Sequence, residues 1–146
     1  MKKIFAFACT VAAINIVCSQ TIYNVGPGQT YTTIQAAYNA IPSNIGSAYI
    51  IQLESGYNSL VETFPLIFTA RSGTSATNTI TLRPGVSGLA ISSSITAAGI
   101  QLTGASYVFI DGRVNSTGNR DLQIINLNTN GRCLSVKDGS SNCTVQ

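Results

Sequence analysis

Short apolar segments alternate with turn residues along most of the chain. After residue 48 these segments are mostly three to six residues long, and Gly, Pro, Ser or Asn separate them. Segments of this length are short for a β-sandwich and typical of the faces of a parallel β-helix. The pattern predicts strands at residues 22–25, 49–53, 64–68, 80–82, 89–91, 100–102, 107–110, 122–127, 133–136 and 143–145.

One segment has helical periodicity instead. Its apolar residues follow the spacing i, i+3, i+4, i+7, which places them on one face of a helix: Ile34, Ala37, Tyr38 and Ile41. A threonine precedes the segment as N-cap and Pro42 ends it. We expect a helix at about residues 32–41 that covers the apolar cross-section and the strand edges of a first coil. A helix packed on the side of a sandwich is the alternative.

Two segments repeat each other 35 residues apart. Residues 104–111 (GASYVFID) are matched by residues 139–146 (GSSNCTVQ), so that Val108 and Ile110 correspond to Cys143 and Val145. Repetition of one turn-and-strand unit is the signature of a solenoid. The second unit stops within a strand, and we therefore interpret the chain as the N-terminal part of a longer solenoid.

The spacing of apolar positions suggests the length of one coil. Ile80, Ile100 and Leu122 are 20 and 22 residues apart. A coil of that length holds two or three short strands, and equivalent strands would stack in parallel about 4.8 Å apart. We therefore predict an all-β fold, a parallel β-helix with a short N-terminal capping helix. A Greek-key sandwich is the alternative all-β fold.

The first nineteen residues have the pattern of an export signal. Lys2 and Lys3 precede an apolar run of 14 residues, 4–17, whereas a span of the bilayer needs about 20. The small-residue spacing at residues 17–19 predicts cleavage after Ser19 or Gln20. An uncleaved anchor helix and a lipoprotein attached through Cys18 are the alternatives. We divide the chain into a signal peptide, 1–19, and one β-helix domain, 20–146, and expect it to be secreted or displayed at the cell surface.

The net charge of the chain excludes some binding partners and suggests no new one. Without residues 1–19 the chain keeps six basic and five acidic side chains, a net charge of +1. Such a chain has no electrostatic footprint for nucleic acid or for an anionic membrane. Charged residues are 9% of the whole chain, against about 25% in ordinary soluble proteins, and Ser, Thr, Asn and Gln supply the surface polarity instead. Uncharged polar ladders suit stacked strands, where ladders of like charge would repel.

The candidate chemistry is sparse. The chain has no histidine, which excludes a Ser-His-Asp or Cys-His site in this segment. A calcium-dependent polysaccharide lyase would need clustered carboxylates and a basic residue, and a polar loop at residues 112–120 separates the candidates. These are Asp111 and Asp121 as acids, with Arg113 and Arg120 as bases. Two carboxylates are few for Ca²⁺, which takes six to eight oxygens, and a turn with solvated charges is the alternative.

Three other groups of residues have open interpretations. Glu54 and Glu62 would be the acid pair of a glycoside hydrolase, or else charges at strand edges. Cys133 and Cys143 would form a disulfide, or else behave as two small buried hydrophobic residues. Three tyrosines would stack on sugar rings if they lay exposed on one wall: Tyr49, Tyr57 and Tyr107.

Several motifs resemble those of a known group of proteins. Residues 104–112 (GASYVFIDG), 120–124 (RDLQI) and 142–145 (NCTV) are similar to the pattern "GA-x-YVTIDG … RDLTI … NNTI", and residues 52–57 (QLESGY) to the segment that follows its helix. The pattern belongs to large secreted proteins of Bacteroidetes-type bacteria in the pectate-lyase-like superfamily. The resemblance covers most of residues 21–146. It implies a right-handed parallel β-helix in a long secreted or surface protein, some relatives being adhesins and others binding or cleaving acidic polysaccharides.

These observations lead to one functional expectation and one alternative. We expect a β-helix module with a structural and binding role, adhesin-like, with polysaccharides or cell-surface glycans as partners and further coils adjoining it. The alternative is the N-terminal coils of a polysaccharide lyase or glycoside hydrolase whose active site lies beyond residue 146. No catalytic, cofactor-binding or metal-binding residue is assigned, no cofactor is expected, and no membrane span is expected after removal of the signal.

Overall fold

The computed structural model of the chain describes residues 19–146. The predicted signal peptide lies outside these residues except for Ser19. The described part holds ten strands and one α-helix, and each predicted strand is confirmed to within two residues. The elements are β1 (Gln20–Val25), α1 (Ile34–Ala40), β2 (Ala48–Leu53), β3 (Leu66–Thr69), β4 (Ile80–Pro84), β5 (Ala90–Ser93), β6 (Ala98–Thr103), β7 (Val108–Ile110), β8 (Gln123–Asn126), β9 (Arg132–Lys137) and β10 (Thr144–Val145). Two short 3₁₀ segments, Ser59–Val61 and Val114–Ser116, complete the list.

All strand pairs are parallel, and they form three sheets. The first sheet has the order β1-β2-β4-β7-β10, the second β5-β8 and the third β3-β6-β9. From β4 onward the chain visits the first, second and third sheets in that order and then returns to the first. This arrangement confirms an all-β fold built from parallel sheets, and it differs from the antiparallel pairing of a Greek-key sandwich.

The register of the strands confirms the 35-residue repeat and corrects the predicted spacing between equivalent strands. Phe109 pairs with Thr144 and Ile110 with Val145, a separation of 35 residues. The predicted spacing of 20–22 residues is wrong, because Ile80 and Ile100 lie in different sheets. Ile80 pairs with Val108, 28 residues away. Ile100 pairs with residues 34 positions away on either side, and the other pairs have separations within the same 28–35 range.

The core consists of inward-facing rows that run from strand to strand. In the third sheet, for example, Leu66 lies beside Ile100, and Ile100 beside Leu134. Buried residues of all three sheets, such as Ile51, Ile91 and Leu102, belong to a single hydrophobic cluster. Alternate residues of each strand face outward, which is why outward polar residues also form rows across a sheet.

The helix begins and ends close to the predicted positions. Thr33 is the N-cap, and its hydroxyl accepts a hydrogen bond from the amide of Ala36 at 3.1 Å. The predicted apolar face is confirmed, since its four residues are all at most 2% exposed. Tyr38 packs edge-to-face on Phe68 of β3, with ring centroids 4.6 Å apart. The helix therefore packs on β3, the first strand of the third sheet, through the apolar face that the pattern predicted.

We name the two ends of the strand stack by what lies on them. The covered end comprises β1, β3 and β5, the first strand of each sheet, together with α1 and Ser59–Val61. The open end comprises β8, β9 and β10, the last strand of each sheet. Within residues 19–146, no strand pairs with the outer edges of these last three strands.

Candidate functional site

The predicted acid of the polar loop, Asp111, is buried and bound to one arginine. Its carboxylate oxygens accept hydrogen bonds from Arg113 Nε and Nη2, each at 2.9 Å, and from the Arg113 amide at 3.0 Å. These hydrogen bonds lower the pKa of Asp111 from 3.8 to about 2, against the opposing effect of burial. The same contact raises the pKa of Arg113. The ion pair therefore keeps Arg113 protonated, and the protonated guanidinium cannot accept a proton.

The other two candidates of the loop do not join this pair. Arg120 is exposed and forms a backbone bridge to Arg113, which closes the base of the loop. Asp121 is also exposed, and its amide donates to the carbonyl of Gly112 at 2.8 Å. Residues 19–146 contain no group of three or more Cys, Asp or Glu side chains that could hold a metal ion. The geometry thus supplies an internal ion pair where the lyase hypothesis needs a carboxylate cluster.

A chain of hydrogen bonds crosses the first sheet beside this ion pair. Arg83 on β4 donates from Nε and Nη2 to Gln52 Oε1 on β2, at 2.9 and 2.7 Å. Gln52 Nε2 donates to Glu54 Oε1 at 2.8 Å, and Arg83 Nη1 donates to Ser116 Oγ at 3.3 Å. Partial burial lowers the pKa of Arg83, while the negative charges of Asp111 and Glu54 act in the opposite direction. We call Glu54, Gln52, Arg83 and Ser116 the outer polar row.

Sequence reasoning missed the outer polar row, although a signal for it exists. Gln52 and Arg83 each stand between two inward apolar positions of their strands, and they are direct neighbours in the register. The polar loop contributes Ser116 and Asn115, whose side-chain amide donates to the carbonyl of Gly85 at 3.4 Å. The loop is mostly exposed, but these contacts tie its middle to β4.

Glu54 and Glu62, the acid pair considered for a glycoside hydrolase, lie in two separate groups of hydrogen-bonded residues. Glu54 belongs to the outer polar row, whereas Glu62 Oε1 accepts hydrogen bonds from the amide of Ile34 at 2.6 Å and from the Tyr57 hydroxyl at 3.1 Å. Glu62 therefore caps the first turn of α1, 28 residues earlier in the chain. Burial raises the pKa of Glu62, which these hydrogen bonds counteract, and burial also raises the pKa of Tyr57. The structure assigns Glu62 a partner in the helix and no partner carboxylate.

A shallow cleft lies along the segment that carries Tyr57 and Glu62. It encloses about 230 Å³. Its lining residues are Pro27, Thr32, Gly56, Asn58 and Val61, and its walls are almost entirely apolar. No charged side chain lines it, so it offers shape and apolar contact without a group for acid–base chemistry.

The cysteines and tyrosines also have definite positions. Both cysteines are free thiols: Cys133 is exposed, and Cys143 is half-buried at the inward position equivalent to Val108. Cys143 thus packs against the core as predicted, whereas the prediction of a buried Cys133 is wrong because it lies on the last strand of its sheet.

Tyr57 is 7% exposed, Tyr49 packs against the core, and Tyr107 is half-buried, so these three rings do not form an exposed line.

The sequence analysis also missed Asn126, an asparagine near the open end whose side chain holds a corner of the fold together. Asn126 Nδ2 donates to the carbonyls of Ile95, Ala97 and Arg132 at 2.9–3.0 Å, and its Oδ1 accepts from the amides of Ile95 and Asn128. A side chain at Gly131 would collide with Ile95 and Asn126, so this corner requires glycine there. The sequence shows only an asparagine before a turn, which is common in loops of any function.

Comparison of the chain with models of protein families, with curated proteins and with solved structures returned no match. Within residues 19–146, no helix is long and apolar enough to cross a membrane. Inference about function therefore depends on the residues described above. These residues share one property. The fold brings polar and ionised groups together, and these groups form hydrogen bonds with one another.

Proposed function

We propose that this chain is a β-solenoid module, a right-handed parallel β-helix, with a structural and binding role in a secreted or cell-surface protein. The fixed order in which the chain visits the three sheets supports the solenoid. So does the separation of 28–35 residues between paired positions, since a solenoid stacks one structural unit on the next.

One observation carries the non-catalytic assignment. Of the four residues that would form a lyase centre, Asp111 and Arg113 are bound to each other and the other two are separate exposed charges. A base for proton abstraction needs a pKa near the working pH, and the ion pair moves Arg113 away from it. The polar chemistry of the module serves to hold neighbouring strands together, and its ligands are glycans bound along its surface.

A lyase centre within this segment would make a different prediction about products. Purified chain is incubated with polygalacturonate and calcium, and both the ultraviolet absorbance of unsaturated uronates and the number of reducing ends are followed. We expect neither to rise above a control without protein. Affinity electrophoresis in gels containing the same polysaccharide measures binding, and retarded migration of folded but not heat-unfolded chain is the expected result. Product formation would contradict the proposal.

The location is tested separately. Residues 1–146 are fused to a phosphatase that is active only after export from the cytoplasm. We expect activity, with a mature N-terminus at Gln20 or Thr21 in the sequenced product. A fusion beginning at residue 21 is the matched control and should be inactive, whereas equal activity in both would contradict the assignment of an export signal.

A further inference from the structure

Two aromatic side chains of the described chain lie outside the hydrophobic core. The other phenylalanines and tyrosines of residues 19–146 belong to the core cluster or pack against it: Tyr23, Tyr31, Tyr38, Tyr49, Tyr57, Phe64 and Phe68. The remaining two are Tyr107 and Phe109, which we call the aromatic pair, and both are half-buried. Core packing explains the seven and does not explain the pair.

The aromatic pair lies on the outward face of the first sheet. Val108 and Ile110 are each 1% exposed and face inward, so Phe109 between them faces outward. β7 has β4 on one side and β10 on the other, and Phe109 pairs with Thr81 and Thr144. The exposure of Phe109 is therefore a property of the sheet face and does not depend on the edges of the last strands.

The 35-residue repeat shows that the fold does not require aromatic residues at these positions. Inward positions are apolar in both units, because they face the core. At the outward positions, Asn142 takes the place of Tyr107 and Thr144 that of Phe109. Thr81, the other neighbour of Phe109, is also polar. Strand stacking therefore accepts polar residues here, and the aromatic pair needs another explanation.

Tyr107 also has a backbone conformation that tyrosine rarely adopts. Its φ is 53°, in the left-handed region that favours Gly, Asn and Asp. Asn142 has a φ of 51° at the equivalent position, so the turn has the same conformation in both units. Asparagine suits this conformation better than tyrosine, and strain of this kind is concentrated at functional sites.

The size and surroundings of the aromatic pair fit a sugar ring better than a protein surface. Two half-buried rings offer less than about 200 Å² of aromatic area, whereas a stable protein interface buries about 800 Å² on each partner. A pyranose ring presents C–H groups to an aromatic face and directs its hydroxyls sideways, towards polar neighbours. Thr81, Thr144 and Asn142 lie beside the pair and supply hydroxyl and amide groups.

The ionised groups on the same face are already engaged within the fold. Arg113 binds the Asp111 carboxylate, and Arg83 donates to Gln52 and Ser116. Recognition at the aromatic pair therefore uses ring stacking and neutral hydrogen bonds, which salt screens far less than it screens exposed charges.

We infer that Tyr107 and Phe109 form a glycan-binding platform, on which a pyranose residue of a polysaccharide stacks by its C–H face. This inference rests on the proposed binding role and assigns that role to one place on the surface. The polar loop, whose middle is tied to β4 by Asn115 and Ser116, borders the platform at the carboxyl ends of the strands. Because stacking recognises the C–H face and not the charge, neutral and acidic polysaccharides both bind.

Affinity electrophoresis with two polysaccharides tests this assignment. The purified chain and its variants migrate through gels that contain polygalacturonate, which is acidic, or hydroxyethylcellulose, which is neutral. The variants Phe109→Thr and Tyr107→Asn carry the residues of the second repeat unit, which the same strand row and turn already accept. We expect each variant to bind about tenfold more weakly in both gels. Binding of the wild-type chain should persist in about 0.5 M sodium chloride.

Two controls separate binding from folding. We expect Tyr107→Asn to unfold in urea at a midpoint no lower than that of the wild-type chain, because asparagine relieves the left-handed strain. Ile67→Thr replaces an exposed apolar residue on the outward face of β3, and we expect it to bind as the wild-type chain does.

The possible failures are distinguishable. Equal retardation of Phe109→Thr, Tyr107→Asn and the wild-type chain would overturn the inference and leave the proposed binding role intact. Loss of binding in salt would also overturn it, since charge would then be the basis of recognition. So would a dimer that Phe109→Thr dissociates, since a second copy would then cover the platform. No retardation of the wild-type chain in either gel would reject the binding role itself, and the platform with it.

Discussion

The covered end and the open end differ in what lies on the unpaired edges of their outermost strands. Each sheet begins and ends with a strand that has one unpaired edge, which is a site for association with other chains. At the covered end, α1 and Ser59–Val61 place side chains on the edges of β3 and β5. At the open end, β8, β9 and β10 have only their inner neighbours. Non-strand segments therefore occupy two of the three first edges, whereas the described residues place nothing on the last edges.

Two carboxylates also differ, one at the covered end and one directly after the inner strand β7. Glu62 at the covered end has a raised pKa because it is partly buried, even though two donors bind it. Asp111, which lies beside the strand pair β7–β10, has a pKa lowered to about 2 because Arg113 binds both of its oxygens. Of these two carboxylates, the one with a charged donor is the one whose ionised form stabilises the folded chain.

Truncation of a core residue should show the largest difference between the ends. Tyr38→Ala removes a side chain that is 1% exposed and packs on Phe68, and we expect a loss of about 3–5 kcal/mol in the free energy of unfolding. Val136→Ala at the open end should cost less than about 1 kcal/mol, because half of Val136 is already in water. Urea unfolding monitored by circular dichroism measures both.

A matched variant separates packing from hydrogen bonding at the covered end. Tyr38→Phe keeps the ring and loses only the hydroxyl, which donates to the Thr69 carbonyl at 2.5 Å. We expect it to cost about 1 kcal/mol. Equal losses for Tyr38→Ala and Val136→Ala would show that the helix does not stabilise the strand stack.

Removal of the Asp111 charge should have an intermediate effect that depends on pH. The folded pKa of about 2 lies below the ordinary value of 3.8, so the ionised carboxylate stabilises the fold above about pH 4 and this stabilisation is lost as the pH falls towards 2. Because one third of the Arg113 side chain is exposed, screening reduces the effect, and we expect Asp111→Asn to cost about 1–2 kcal/mol at pH 7. Urea unfolding at pH 7 and pH 2 should show the difference at the higher pH only.

The Glu62 charge should have the opposite pH dependence. Its folded pKa lies above the ordinary value of 4.5, so wild-type stability falls as the pH rises from that value through the raised pKa. Glu62→Gln keeps an acceptor for the Ile34 amide and has no charge to bury. The stability of Glu62→Gln relative to wild type should therefore increase between pH 4.5 and neutrality. A difference that stays constant with pH would place Glu62 in water rather than at the helix.

The smallest expected effect concerns edge protection. Gln35→Ala removes both hydrogen bonds to Ile67, and we expect a loss of about 0.5–1.5 kcal/mol together with concentration-dependent association through the edge of β3. Gln101→Ala is the control, because Gln101 lies beside Ile67 on the paired strand β6. Urea unfolding and light scattering measure the two effects. Association of both variants alike would mean that Gln35 does not protect the edge.

Strand positions were predictable because they depend on local alternation. Residues 48–53 and 98–103 each contain apolar residues that alternate inward, and such a pattern appears in the sequence wherever one face of a strand is buried. The helix was predictable for the same reason with a different period. The register between β7 and β10 was predictable from the 35-residue repeat, since equivalent side chains occupy equivalent positions in both units.

The separation of paired strands along the chain and the polar contacts depend on the tertiary structure. Paired strands are 28–35 residues apart because loops of unequal length connect them, and local spacing does not reveal which apolar segments share a sheet. Glu62 hydrogen-bonds to the start of α1, and Arg83 hydrogen-bonds to Gln52. Both contacts exist because the chain returns to a neighbouring position after about thirty residues. The sequence by itself therefore determined which residues face inward. The tertiary structure decided which of them are neighbours, because neighbours in stacked strands are distant in the chain.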